Sequence, residues 1–230
     1  MTIGASIIFS SCGQTMKGDA KLTNDLDSVS YAIGTDIGKS IKGASLEEVN
    51  YDVFLKGVID AYEEKDLKIK EEEIKPFLQK YFTELRDAKA NKNLEEGRAF
   101  LEENKKKEGI ITTESGLQYE IITEGTGKSP SDTDIVVCNY RGTLIDGTEF
   151  DSSIGKEKPA EFALNRVIPG WTEGIQLMKE GAKYKFYIPT ELGYGQRVRP
   201  GGKIEVNMAL IFEVELLEVK APEAPAKKTN

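Results

Sequence analysis

The hydrophobic periodicity of this chain changes once, near Lys107, and that change limits what it can fold into. Before it, apolar residues recur every three or four positions, the spacing of one helix face. Leu26, Val29, Ile33, Ile37 and Ile41 mark a first amphipathic helix. Asn50 can cap a second, with Val53, Phe54, Val58, Ala61 and Tyr62 on one side. A third starts near Glu72 and carries Ile74, Phe77, Leu78, Tyr81, Phe82 and Leu85. Pro76 places its first turn close by, because a first-turn proline gives up no needed N–H. From Arg86 to about Lys107 the pattern stays helical but charge covers every face, broken mainly by Leu94, Phe100 and Leu101. A helix polar all round is expected to bridge domains through solvent. Some 35 residues at ~1.5 Å each make a rod on the order of 50 Å.

After Lys107 the period drops to two, the signature of half-buried strands. Leu117, Tyr119 and Ile121 alternate with polar neighbours, as do Val136, Cys138 and Tyr140, then Tyr184, Phe186 and Ile188. Met208, Leu210, Phe212, Val214 and Leu216 share one side of a long strand, with Glu213 and Glu215 on the other. Asp146-Gly147 is a hairpin turn signal. One short helix interrupts the strands, with Trp171, Ile175 and Met178 on a common face. The fold class expected is α+β: a C-terminal antiparallel sheet wrapped around one short helix, preceded by an all-α domain and a long connecting helix.

This organisation divides the chain into residues 1–21, a signal remnant and tether; 22–85, a helical dimerisation domain; 86–112, the long connecting helix and linker; 113–219, the sheet domain; and 220–230, a disordered tail rich in Ala, Pro and Lys. The helices of 22–85 are too small a set to bury a good core alone, so their apolar faces predict a homodimer, with a compact monomeric helical cap as the other reading. Residues 1–11 are small and apolar and end in Phe9-Ser10-Ser11 before Cys12-Gly13, like a bacterial lipoprotein signal cut before a cysteine that then carries the lipid. The basic n-region is missing and Phe9 stands where Leu is usual, so an N-terminus with an incidental cysteine is the competing reading. No stretch reaches the ~18–20 apolar residues of a membrane span.

Composition narrows the chemistry. The net charge of −8 is shared evenly between the halves and no basic face is implied, so nucleic acid is excluded as a partner. Histidine is absent and there are two cysteines, Cys12 and Cys138, so neither a disulfide framework nor a metal site is expected, and no cofactor is implied. Cys138 alternates inward with Val136 and Tyr140 as a small core residue. What the second half does offer is aromatic: Tyr140, Phe150, Trp171, Tyr194 and Phe212 come from separate elements. Each fits a core equally well by composition. Two features favour a site, namely Asp151 directly after Phe150, and Tyr194 between Gly193 and Gly195, a loop placement that favours a cleft.

Five ordered motifs sharpen this: Val137-Cys138-Asn139-Tyr140, Asp146-Gly147-Thr148-Glu149-Phe150-Asp151-Ser152-Ser153, Val167-Ile168-Pro169-Gly170-Trp171, Leu192-Gly193-Tyr194-Gly195 and Leu210-Ile211-Phe212-Glu213-Val214-Glu215-Leu216. Together, over roughly Thr113 to Val219, they resemble the FKBP family of peptidyl-prolyl cis–trans isomerases. Val29-Ser30-Tyr31-Ala32-Ile33-Gly34 and Ser115-Gly116-Leu117-Gln118-Tyr119 resemble its macrophage-infectivity-potentiator (Mip) subgroup, which has an N-terminal helical dimerisation region.

The resemblance implies a catalyst of rotation about X–Pro bonds in exported proteins, with chaperone activity; a holdase chaperone or proline-peptide binding module with incidental isomerisation is the alternative. It implies Trp171 as the floor under a prolyl ring, with Tyr140, Phe150, Phe162, Val167, Ile168 and Phe212 as walls and Ile204 as a cover. The Ile168 N–H and the Tyr194 hydroxyl would bond substrate carbonyls, and Asp151 would act electrostatically or as an orienting group rather than as a general base. It further implies unfolded, proline-containing exported proteins as clients and macrolide FKBP inhibitors as ligands. The expected location is the cell envelope, as a periplasm-facing outer-membrane lipoprotein, or soluble in the periplasm if Cys12 is not lipidated. The loop Gln196–Asn207 departs from the family pattern, with Ile204-Glu205-Val206 where Ile-Pro-Pro is common and Ala209 in place of Thr. Its Arg197 and Arg199 either select acidic or extended clients or are ordinary solvated charges.

Overall fold

The structure is a computed structural model that describes residues 20–44, 46, 48–199 and 201–222. Cys12, with the lipoprotein reading attached to it, and most of the C-terminal tail lie outside the described residues. Backbone contacts separate residues 1–46 from residues 47–230, and each unit is described by itself.

In the first unit, helix α1 spans Asp25–Gly43. Asn24 caps it, its side chain accepting the Asp27 N–H at 2.9 Å, while Asp25 and Asp27 sit favourably in the first turn. The stripe read from the sequence is present and open over its first part, where Leu26 is 75 % exposed, Val29 55 % and Ile33 56 %, while Ile37 and Ile41 are half-buried.

The second unit opens with α2 (Tyr51–Tyr62), capped by Asn50 as expected, its side chain accepting the Val53 N–H at 3.2 Å. Here too the apolar face is open, with Val53, Phe54, Val58 and Tyr62 all exposed. Helix α3 runs unbroken from Glu71 to Asn104. Pro76 falls in its second turn rather than its first, because three glutamates precede it at the positive helix end, where carboxylates are stabilising. The cost is one missing N–H, at a position solvent can reach.

The expectation of a helix solvated on every face after Arg86 is corrected. Asn93, Gly97, Leu101 and Asn104 are buried, and their spacing of four, four and three puts them on one stripe that packs against the sheet domain. The stripe contains only one large apolar residue, so hydrophobic periodicity does not show it. Its lower end is fixed by Gln118, whose side chain donates to the Leu101 carbonyl at 2.9 Å and accepts from Asn104 Nδ2 at 3.0 Å, both side chains being buried.

The sheet has seven antiparallel strands: β1 (Ile110–Thr112), β2 (Gln118–Thr123), β3 (Ile135–Leu144), β4 (Glu149–Ser152), β5 (Ala160–Ala163), β6 (Lys183–Ile188) and β7 (Leu210–Lys220). Their order is β1-β2-β6-β7-β3-β4, with β5 sharing the β4 edge of β3. Along β7 the alternation holds through Leu210, Phe212, Val214 and Leu216, then a bulge at Leu217 inverts the parity so that Val219 also turns inward. Helix α4 (Pro169–Gln176) starts with proline at a position that needs no N–H and lays Trp171 and Ile175 on the sheet. Leu117, Val136, Leu164, Met178, Phe186 and Val214 complete a dry core with no exposed surface. This is the α+β architecture expected.

Candidate functional site

The site is built where the start of α4 meets the inner face of the sheet. Trp171, in the first turn of α4, is 4 % exposed, and three rings meet its indole edge-on: Tyr140 from β3 at 5.2 Å, Phe212 from β7 at 5.2 Å and Phe162 from β5 at 5.3 Å between centroids. Perpendicular contacts of this kind place positive ring edges on negative faces and stabilise the cluster beyond the area it buries. The indole Nε1 is buried with no hydrogen-bond partner among the described residues. Its surroundings are therefore strongly apolar.

Above this floor lies a cavity of about 490 Å³. Tyr140, Phe162, Val167, Trp171 and Phe212 line its apolar part, and Asp151, Ile168 and Tyr194 reach it from three separate elements. Arg166, Pro169, Gly193 and Arg197 complete the lining. Of the ten pocket residues expected from the sequence, eight thus converge, and Arg197, singled out separately in the loop, joins them. Two do not line the cavity. Phe150 is the extra residue of a bulge in β4 and turns onto Phe212, edge to face at 5.3 Å, across Gly142. A Cβ on Gly142 would come within 2.6 Å of the Phe150 ring and 2.8 Å of Phe212, so only glycine admits the two rings there. Ile204 packs against the core cluster without reaching the cavity. Arg166 was not singled out in the sequence, and its one signal is its place directly before Val167.

The polar groups are held firmly. The Tyr140 hydroxyl donates to Asp151 Oδ2 at 2.5 Å, and the Ser152 N–H donates to Oδ1 at 2.9 Å. Buried Ser153 accepts the Tyr140 N–H at 2.8 Å and fastens the chain after β4 to β3. Neither this serine nor the Tyr140–Asp151 bond was visible in the sequence, since both depend on how β3 and β4 pair. Ile168 is the N-cap of α4, with its carbonyl taken by Trp171 N–H and Thr172 N–H. Its own N–H has no acceptor among the described residues. Tyr194 sits on a tight loop in which the Thr190 carbonyl accepts from both Gly193 and Gly195 at 3.1 Å.

Burial, then the bond to Asp151, push the Tyr140 hydroxyl well above the ordinary tyrosine range. Burial and the Asp151 charge also raise Tyr194, partly offset by Arg199. The Cys138 thiol is pushed up to about 12 by burial and is unreactive. Among the described residues no group of three or more carboxylates and thiols could hold a metal ion, and no helix is long and apolar enough to cross a membrane.

Residues 126–217 match the model of the FKBP-type peptidyl-prolyl cis-trans isomerase, and residues 26–121 match the model of the domain amino terminal to it. The chain is 45 % identical over 215 residues to a probable FKBP-type peptidyl-prolyl cis-trans isomerase FkpA of Neisseria meningitidis, spanning 88 % of this chain and 78 % of the relative. It is 46 % identical over 206 residues to the outer membrane protein MIP of Legionella longbeachae, spanning 86 % and 88 %. Among solved structures, FkpA from Escherichia coli matches with a TM-score of 0.68 at 38 % identity, over 88 % of this chain and all of that one.

The tyrosine shifts set an alkaline limit. A tyrosine whose folded pKa is raised holds its proton longer in the folded than in the unfolded chain, so its stabilisation is intact below about pH 10 and is lost as pH rises further. Tyr187, pushed up to about 12 by burial and by Glu120, adds to the same effect. The melting midpoint should hold up to about pH 10 and fall between there and about pH 12, and Tyr140→Phe should make that fall shallower. Melting curves recorded over this range check both.

Proposed function

This chain belongs to the FKBP-type peptidyl-prolyl cis–trans isomerases, and we propose that it lowers the barrier to X–Pro rotation with a dry aromatic cup rather than with a proton-transfer group. Amide resonance resists twisting with a barrier of ~18–20 kcal/mol. At the twisted state conjugation is broken and charge separation falls, so an apolar surrounding favours it over the planar amide that water stabilises. Only interactions that are stronger at that state accelerate the step.

The single observation that carries this reading is the Trp171 floor, ringed edge-on by Tyr140, Phe162 and Phe212 yet open to a cavity of prolyl-peptide size. On this floor the prolyl ring lies flat. The Ile168 N–H, without another acceptor, takes one substrate carbonyl, and the Tyr194 hydroxyl takes a second. Asp151 faces the rotating bond with its carboxylate fixed by Tyr140 and acts through its charge. Phe150 and Ile204 support this lining from behind.

The proposal extends to assembly and place. The open apolar faces of α1, α2 and the start of α3, where Phe77, Leu78 and Tyr81 are exposed, fit a homodimer closed by two copies of these helices. Such a dimer would hold unfolded, proline-containing clients, giving chaperone activity beside isomerisation. A macrolide FKBP inhibitor would occupy the same cavity. Likeness to a protein called an outer membrane protein supports an envelope location, with Cys12 as the lipid-bearing residue of the mature chain.

Two experiments test these readings. In a proline-peptide isomerisation assay, Asp151→Ala and Tyr194→Phe should each lower kcat/KM by about tenfold or more, while aggregation suppression by the same variants stays at the wild-type level. Wild-type rates in both variants would refute the assigned roles. Light scattering should give twice the chain mass, and Val29→Glu with Ile33→Glu should halve it without changing the peptide rate; an unchanged mass per particle would refute the dimer.

A further inference from the structure

The long helix α3 does more than join the chain together. Between Lys89 and Arg98 it grips both ends of the loop that carries Tyr194. At the far end of the loop, Asn93 Nδ2 donates to the Val206 carbonyl at 2.9 Å, and the Lys89 ammonium pairs with Glu205 at 2.7 Å. Asn207 Nδ2 donates to the Ala90 carbonyl at 3.3 Å. At the near end, Arg98 meets Glu191 at 3.3 Å, next to Thr190, whose carbonyl closes the Tyr194 turn. Between these contacts the backbones come very close: a Cβ on Gly97 would stand 3.1 Å from the Ala209 Cβ. Glycine facing alanine is what lets the helix seat at this depth.

Asn207 is the joint. Its φ of +62° is left-handed, a conformation that costs most residues energy and that asparagine tolerates best after glycine. In that conformation its side chain bonds the helix, while its own N–H donates to the Gly195 carbonyl at 3.0 Å, one residue beyond Tyr194. A continuous path of two hydrogen bonds therefore runs from the α3 backbone through Asn207 to the Tyr194 loop. Asn93, nine-tenths buried on the same seat, fixes the neighbouring carbonyl.

We infer that α3 is a positioning element of the isomerase site, with Asn93 and the Lys89–Glu205 pair holding the 205–209 segment so that Asn207 keeps Tyr194 in register over the Trp171 floor. The helix acts through the loop and touches no substrate. Its effect falls on how well substrate is held, because Tyr194 lies on the cavity rim while the floor belongs to the sheet and α4. Misplacing a binding group by about an ångström from a distance costs large factors in rate. This inference rests on the reading of Tyr194 as a substrate-binding residue.

The test uses the full chain and a proline-containing tetrapeptide. Lys89 and Glu205 are each about one third exposed, so reversing their charges leaves the core intact. Lys89→Glu sets two carboxylates against each other and should raise KM about fivefold with kcat little changed. The double variant Lys89→Glu/Glu205→Lys should return KM to within about twofold of wild type. Asn93→Ala should raise KM likewise, and hydrogen exchange at the Gly195 and Asn207 amides should quicken in both single variants, while the melting midpoint stays put in Lys89→Glu and falls by a few degrees in Asn93→Ala, which loses a buried hydrogen bond. The inference is overturned if the single variants keep the wild-type KM, or if the charge swap fails to restore it. Tyr194→Phe, assayed in parallel, separates the two claims: no effect there removes the reading of the site, whereas an effect there with silent α3 variants removes the positioning role alone.

Discussion

The packing of Trp171 is the contact on which the rest of this structure depends. One indole, placed by the first turn of α4, receives ring edges from β3, β5 and β7 at once. Those strands must therefore curl round the helix, and the sheet cannot flatten without opening the core. Trp171 also lines the cavity, so the residue that closes the core is the one proposed as the floor of the site. Fold and function here share a single set of van der Waals contacts.

Around this floor several of the polar groups are restrained by a neighbour. Asp151 is tied to Tyr140, Tyr140 to Ser153, and the Tyr194 loop to a doubly bonded Thr190 carbonyl. A chain without histidine has no side chain that titrates near neutrality in the ordinary way, and the tyrosines of the site are pushed further from it. This suits a bond rotation, in which no proton changes place. In the mechanism proposed above, steric and dielectric fit carry the rate instead.

Much of the sheet domain was legible in the sequence, because period-two stripes such as Leu210 to Leu216 commit a strand to one inward face. The Asn50 cap of α2 was equally legible, whereas the Asn24 cap of α1 emerges only in the structure. Three further things were not legible. The α3 seat uses Asn93, Gly97 and Asn104, which no hydrophobic pattern marks, and its meaning depends on acceptors more than a hundred residues away. The bulge that turns Phe150 onto Phe212 depends on strand register rather than on residue type. Ser153 looks like any loop serine until β3 and β4 are paired. The stretch Ile204–Ala209, where the sequence departs from the family pattern, is also where α3 docks: Glu205 meets Lys89, and Ala209 makes room against Gly97.

The central claim is that an apolar cup, not proton transfer, drives the reaction. It is tested most directly by the solvent isotope effect on kcat/KM for a proline peptide, measured in H2O and D2O at matched acidity. The account predicts a ratio near unity, since no exchangeable proton moves in the rate-limiting rotation. A severalfold slower rate in D2O would contradict it and return Asp151 or Tyr194 to the role of a general acid or base.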